Sequence, residues 1–275
     1  MNLLYCGDAR SQEGIVLSAL SLAKQTQQPL HIYILTMQYA GESRGFEALP
    51  QAFANRLQAV LRQKNSQSSV QLFDVGEAFE KEKPAANLDT RFTPYCMLRL
   101  YADGIAEIPE RILYLDTDVI CLKNPDAFYE QDFDGADLVG VLDYYGHWFF
   151  HQRWLRFDYM NSGVLLLNMQ RIRETGLFEN ARRRCMNKKM FMPDQSALNK
   201  LAKKKFARRA YNEQRRWDPK KTVFLHFTTS FRFFPRFRMI SVKPWQRDAV
   251  HEVLGYAMLD SLYQEADALK AKGLL

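Results

Sequence analysis

No apolar run in this chain of 275 residues approaches the roughly 20 needed for a helix to cross a bilayer. The first ten residues, MNLLYCGDAR, have neither a basic region nor a long apolar segment, so no signal peptide is expected. Cysteine is sparse: Cys6, Cys96, Cys121 and Cys185 stand far apart with no CxxC pair. That spacing excludes a disulfide framework, makes a cysteine-held zinc improbable and predicts reduced thiols in a cytoplasmic protein. There is no repeat, no low-complexity tract and no Gly/Pro/Ser-rich linker, which favours one compact domain. Neither GxGxxG nor GxxxxGK[ST] occurs, so a nucleotide bound here must be held by another device than the dinucleotide fingerprint or the P-loop. Acidic residues are also scarce in one stretch. Between Arg182 and Lys243, 19 Lys and Arg face only Asp194, Glu213 and Asp218, a balance of +16 that leaves about −9 for the rest of a chain of net charge +7. Such a block suits an anionic partner (nucleic acid, anionic lipid or a phosphorylated substrate) or a solvated face.

Apolar residues make up 47% of the chain and aromatics 13%, enough for a substantial core. Short β-rich runs alternate with helical patterns: NLLYC (2–6), a helix from Ser11 to about Gln25, LHIYILT (30–36), a helix from about Leu49 to Gln63, and VQLFDV (70–75). Alternation of this kind predicts a parallel sheet with right-handed crossovers, a Rossmann-like half. Further on come a helix over 94–103 and strands at RILYL (111–115), DLVGV (137–141), SGVLLLN (162–168) and TVFLHF (222–227), with mostly helix over 171–205. From Gln246 to Lys272, Val250, Val253, Leu254, Ala257, Leu262 and Leu269 recur at near-helical spacing, which predicts one amphipathic helix packed on the domain.

The most informative stretch is RILYLDTDVICLKNP, residues 111–125, where two carboxylates follow a strand meant for burial. In open α/β sheets ligands bind beyond the carboxyl ends of the strands. Asp116 and Asp118 there suit a hard divalent cation, Mg²⁺ or Mn²⁺, that keeps positions open for phosphate oxygens. Two alternatives stand beside this. The pair can simply cap the following turn. LYLDTDVI also fits the nucleophile strand of a haloacid-dehalogenase-type phosphatase, but that chemistry needs a later acidic pair at a strand end, and DFDGAD precedes its strand.

Several further segments occur in a telling order: LLYCGD (3–8), RLYADGIAEIPERILYLDTD (99–118), YMNSGVLLLN (159–168), PDQSALN (193–199), LH (225–226) and KPW (243–245). Together they resemble glycosyltransferase family 8, retaining metal-dependent enzymes that include bacterial lipooligosaccharide galactosyltransferases and glycogenin. The resemblance spans most of residues 1–245. It implies an α/β GT-A fold, Rossmann-like with a mixed, mostly parallel sheet, as a catalytic domain over 1–245 with a helical extension over 246–275.

Carried over by position, the resemblance implies a role for each segment. Asp8 meets the uracil, with Cys6 and Arg10 lining the nucleoside pocket; an N-cap is the structural alternative for Asp8. Arg99, 17 residues before Asp116, contacts the donor or forms a structural ion pair. Asp116, Asp118 and His226 hold Mn²⁺ (or Mg²⁺), and Lys243 binds the diphosphate. Asn161, Ser162, Asp194 and Gln195 face the donor sugar, with Asp143 a further sugar or acceptor contact; Gln195 stands where a nucleophile is expected, but an amide is a poor one. One departure from the family pattern is FTTSFRFFPRFRMISV, which intervenes between His226 and Lys243 and puts the usual phosphate loop in question. The implied activity is transfer of glucose or galactose from a UDP-hexose to a hydroxyl of a glycan or lipid-linked acceptor. The basic aromatic tract suggests peripheral docking on an anionic membrane, at the inner face of the plasma membrane, rather than binding of nucleic acid. A non-catalytic UDP-sugar-binding protein is the other class to be separated from an enzyme.

Overall fold

In the computed structural model of the protein, the described residues are 1–40, 45–88, 93–146, 158–232 and 238–275. Residues 233–237 of the basic aromatic tract lie outside them, so the expected membrane contact there falls outside the described residues. No helix among the described residues is long and apolar enough to cross a membrane.

The central sheet has seven strands: β1 (Asn2–Cys6), β2 (His31–Thr36), β5 (Ser69–Asp74), β6 (Arg111–Leu115), β8 (Leu138–Leu142), β9 (Met160–Asn168) and β10 (Lys204–Phe206), in the spatial order β10-β8-β9-β6-β1-β2-β5. Two of the small ladders bear on the site. One joins β3 (Tyr39–Ala40) to β4 (Gly45–Phe46); the other joins β7 (Val119–Cys121) to β11 (Phe224–His226), antiparallel. Strand β9 runs antiparallel to both of its neighbours, and the remaining pairings are parallel. This is the mixed, mostly parallel sheet of a GT-A fold.

Alternation along each strand sorts side chains to the two faces. Leu3 and Tyr5 join a core with Leu113, Leu115 and the helix α1 (Gln12–Gln25), whereas Leu4, Cys6, Ile112 and Tyr114 face Met97, Leu98 and Phe178 on the other side. From β1 the chain proceeds outward through β2 to β5, then returns to place β6 on the opposite side of β1. The reversal opens a crevice between the carboxyl ends of β1 and β6, the position where such sheets bind ligands. Residues just past those ends are Asp8 and Asp116.

Helix α2 (Gln51–Lys64) and the strands lie within a residue or two of expectation. Residues Pro94–Gly104 are helical as expected but wound as 3₁₀ turns. The stretch expected to be mostly helix divides into Met169–Thr175, Leu177–Asn187 and Pro193–Leu201, and its last residues instead form β10, which pairs in parallel with β8 from Lys204 opposite Leu138. A larger difference concerns the C-terminus. The single amphipathic helix expected from Gln246 is two pieces, 247–254 and Asp260–Ala271, because Gly255 adopts a left-handed conformation (φ 69°) and its N–H caps back to the carbonyl of His251. Val253 is consequently exposed, while Val250, Leu262, Tyr263 and Ala266 pack into the α1 core. Lys24–Glu265 and Lys270–Glu13 ion pairs fasten the last helix across α1.

Candidate active site

The chain turns sharply after β6. Asp116 N donates to the carbonyl of Gly163 on β9 at 2.8 Å, and Val119 N donates to the carbonyl of Asp116 at 3.1 Å. The turn keeps together the carboxylates on either side of Thr117, which as residues i and i+2 also share a face in an extended strand. The β7–β11 ladder sets His226 opposite Val119, and Phe227 N donates to the carbonyl of Asp118 at 3.0 Å. His226 Nε2 thereby lies 3.3 Å from Asp118 Oδ1 and 3.7 Å from Asp116 Oδ2. One ligand atom from each of Asp116, Asp118 and His226 falls within 4.8 Å of the others.

These residues suit a divalent cation on several counts. Two hard carboxylates and one imidazole match the preference of Mn²⁺. Lys243 Nζ stands 2.5 Å from Asp118 Oδ2, so the site already attracts a positive charge. Burial opposes ionisation of Asp118, yet Lys243 and His226 hold its carboxyl well below the usual range; His226, in turn, is pushed above its ordinary value by Asp118 despite burial. The space between ligands depends on Gly163, where a Cβ would overlap His226 Cε1 and lie 2.8 Å from Asp116 Oδ2.

Lys243 reaches this centre despite the intervening insertion. Within the insertion, β12 (Ser230–Arg232) pairs antiparallel with β13 (Arg238–Ile240). Lys243 Nζ then also donates to the carbonyl of Phe227 at 3.0 Å. Trp245 of the KPW segment packs over Gly14, near the start of α1.

Arg99 is 1% exposed and stacks over the Tyr114 ring, 3.7 Å from its centroid. It donates Nε to the carbonyl of Cys96 and Nη1 to that of Ser162, and pairs through Nη2 with Asp116 at 3.1 Å and Asp194 at 3.3 Å. The guanidinium thus pairs with two carboxylates in the structure. Tyr114 adds a donated O–H to Asp116 Oδ1 at 2.6 Å. Burial, reinforced by Asp116, raises the Asp194 carboxyl above its ordinary range although Arg99 opposes this.

The residues expected to face the sugar are hydrogen-bonded to one another. Gln195 Oε1 accepts from Ser162 N at 2.9 Å, and its Nε2 donates to Asp143 Oδ2 at 3.0 Å. Asn161 Nδ2 donates to the same Asp143 oxygen at 2.9 Å. Asp143, Asn161, Ser162, Asp194 and Gln195 are all under 9% exposed, so they form a preorganised wall. At the β1 end, Asp8 is the N-cap of the turn Ala9–Ser11, accepting from Arg10 N and Ser11 Oγ while Arg10 Nη2 pairs with it at 2.7 Å. The Arg10 guanidinium is exposed and lies over the Phe46 ring, 4.4 Å from its centroid, while Cys6 is buried among Arg99, Asp116 and Asp194 with its thiol pushed upward. Gly163 lies inside YMNSGVLLLN and Tyr114 inside RILYL, but no local sequence pattern marks Asn212.

The chain matches the family described as Glycosyl transferase family 8 over residues 2–249. It belongs to glycosyltransferase family 8. No curated protein sequence matches it. Among solved structures, the galactosyltransferase LgtC in complex with donor and acceptor sugar analogues aligns over all of both chains at 18% identity and a TM-score of 0.70, as does an active-site mutant of LgtC. The glycosyltransferase GlyE from Streptococcus pneumoniae TIGR4 aligns at 17% identity with a TM-score of 0.58, over 90% of this chain and 59% of that one. At these identities the structures attest the shared fold. Family membership makes this protein a glycosyltransferase, with an Asp-Asp-His cluster as its candidate metal site, and removes the phosphatase reading of the DxD.

Proposed function

We propose that this family 8 enzyme transfers a hexose, glucose or galactose, from its UDP ester to a hydroxyl of a glycan or glycolipid with retention at the anomeric carbon. The observation that carries the proposal is the meeting of Asp116, Asp118 and His226 at the crevice between β1 and β6. Mn²⁺ or Mg²⁺ held by those residues supplies charge neutralisation for the departing diphosphate. Lys243 adds a cation on the same side. Asp8 and Arg10 bound the nucleoside end, and Asn161, Ser162, Asp194, Gln195 and Asp143 orient the sugar.

Retention without a protein nucleophile follows from how these groups are occupied. Gln195 already uses both ends of its amide, and the Asp194 carboxylate is buried against Arg99. Neither offers a free carboxylate for a covalent intermediate. The acceptor hydroxyl then attacks from the leaving-group face, and a phosphate oxygen of UDP takes its proton. The Gln195–Asp143–Asn161 wall serves to hold the sugar while positive charge builds on it.

The test is a panel of UDP-sugars with Mn²⁺ or with chelator, read by UDP release. UDP-glucose or UDP-galactose should turn over with Mn²⁺ and stop with chelator, and Asp116→Ala or Asp118→Ala should abolish that turnover. Undiminished release in either variant refutes the assignment, and binding of UDP-hexose without any turnover would favour a sensor.

A further inference from the structure

Asn212 lies beyond the β10 edge strand and 14 residues before His226, yet it is fully buried beside the imidazole. The hydrogen bonds around it can be oriented without assumption, starting from a group with only one role. The backbone N–H of Gly163 can only donate, and it donates to Asn161 Oδ1 at 2.9 Å. The other end of Asn161 is therefore its Nδ2, which meets the carboxylate of Asp143. Asn161 Oδ1 can accept again, so the atom of Asn212 facing it at 2.9 Å is Nδ2. Asn212 must then turn Oδ1 toward His226 Nδ1, 3.1 Å away. An amide oxygen only accepts, which places a proton on Nδ1. In the neutral ring, Nε2 is left with its lone pair toward Asp116 and Asp118.

We propose that Asn212 is a positioning residue that joins the two halves of the site. Through Oδ1 it fixes the tautomer and ring orientation of His226 for the cation; through Nδ2 it holds Asn161, and with it Asp143 and Gln195, for the sugar. The inference rests on the cation and donor assignments above. Its role is separable by chemistry, because each end of the one amide serves a different half.

Asn212→Asp divides the functions. A carboxylate still accepts from His226 Nδ1, but its second oxygen meets Asn161 Oδ1 with no proton between them. Rotating the Asn161 amide gives no relief, since that would set an oxygen against Asp143 and an N–H₂ against the Gly163 N–H. Asn212→Leu removes both contacts at similar size. Loss of an outer partner of a ligating histidine typically weakens metal binding about 10–100-fold.

Mn²⁺ affinity, measured by electron paramagnetic resonance of free Mn²⁺ in the presence of UDP, and KM for the UDP-hexose are determined for wild type and both variants. The Leu variant is expected to lose about 10-fold or more in Mn²⁺ affinity. The Asp variant is expected to stay within about threefold in Mn²⁺ affinity while KM for the donor rises about 10-fold. Equal Mn²⁺ losses in both variants, or a Leu variant within twofold of wild type, overturns the proposal. Circular dichroism checks folding; if Leu fails to fold, the Asp split between Mn²⁺ affinity and KM still decides. Failure of the wild type to bind Mn²⁺ would instead count against the cation assignment itself, so the two failures are distinguishable.

Discussion

Adding a single methyl at Gly163 should disable the centre while leaving the fold in place. Gly163 lies within β9, is not among the residues of positive φ, and so can accept alanine without backbone strain. Its side-chain direction is the difficulty. A Cβ built there comes 2.8 Å from Asp116 Oδ2 and from His226 Nδ1, and nearer still to His226 Cε1. Comfortable contact between carbon atoms is about 3.5–4.0 Å, so the imidazole must retreat by about 1 Å. Ligand distances in metal sites tolerate about 0.2 Å. Moving one ligand of three by several times that margin should weaken Mn²⁺ binding about 100-fold, roughly 2.8 kcal/mol. Overpacking itself costs about 1–3 kcal/mol, which lowers the melting temperature by a few degrees. Calorimetric titration of Mn²⁺ with UDP present, alongside thermal unfolding, measures both effects. A Gly163→Ala protein that binds Mn²⁺ as wild type does would refute the claim that the ligand cavity depends on this missing Cβ.

Further outcomes follow from the same contacts. Arg99→Met leaves the Asp116 and Asp194 carboxylates without their buried partner, and should cost about 3–5 kcal/mol, read as a fall of about 10 °C in melting temperature; an unchanged melting temperature would show that the ion pairs contribute nothing. Leu262→Ala empties a buried position against α1 and should cost about 2–5 kcal/mol by urea unfolding, with Mn²⁺ affinity preserved. Mn²⁺ affinity should depend on pH. Burial opposes the charge on His226, but the neighbouring carboxylates raise it above its ordinary 6.5, so its proton competes with the cation above that ordinary value, while Asp118 remains ionised. Affinity should therefore rise with pH until the histidine is neutral and then level off, with about one proton released per cation on the rising limb. Calorimetry in buffers of different ionisation enthalpy counts that proton, and a flat profile between about pH 6 and pH 9 contradicts the competition.

Much of the site could be read from local sequence because strand ends mark themselves. After Arg111, RILYL stays apolar up to Leu115 and is followed directly by Asp116 and Asp118, and PDQS sits at a helix start where Pro193 opens the first turn. Tertiary wiring was less accessible. Arg99 follows an ordinary helical pattern, and nothing local shows that Tyr114 will lie beneath its guanidinium or that two carboxylates from different elements will close over it. Asn212 is harder still, since its partners come from β9 and β11. Periodicity also misled at the C-terminus, where apolar spacing ran through Gly255 as though the helix continued. A glycine able to adopt a left-handed cap was the stop signal there. The insertion between His226 and Lys243 looks disruptive in one dimension, but antiparallel pairing of β12 with β13 accompanies the contact of Lys243 Nζ with the carbonyl of Phe227.

A crystal grown with Mn²⁺ and UDP tests the central claim most directly. Density for one ion is expected within about 2.0–2.3 Å of oxygens from Asp116 and Asp118 and of Nε2 of His226, with diphosphate oxygens filling the remaining positions. An ion bound elsewhere, or a diphosphate lodged away from those three side chains, would contradict it.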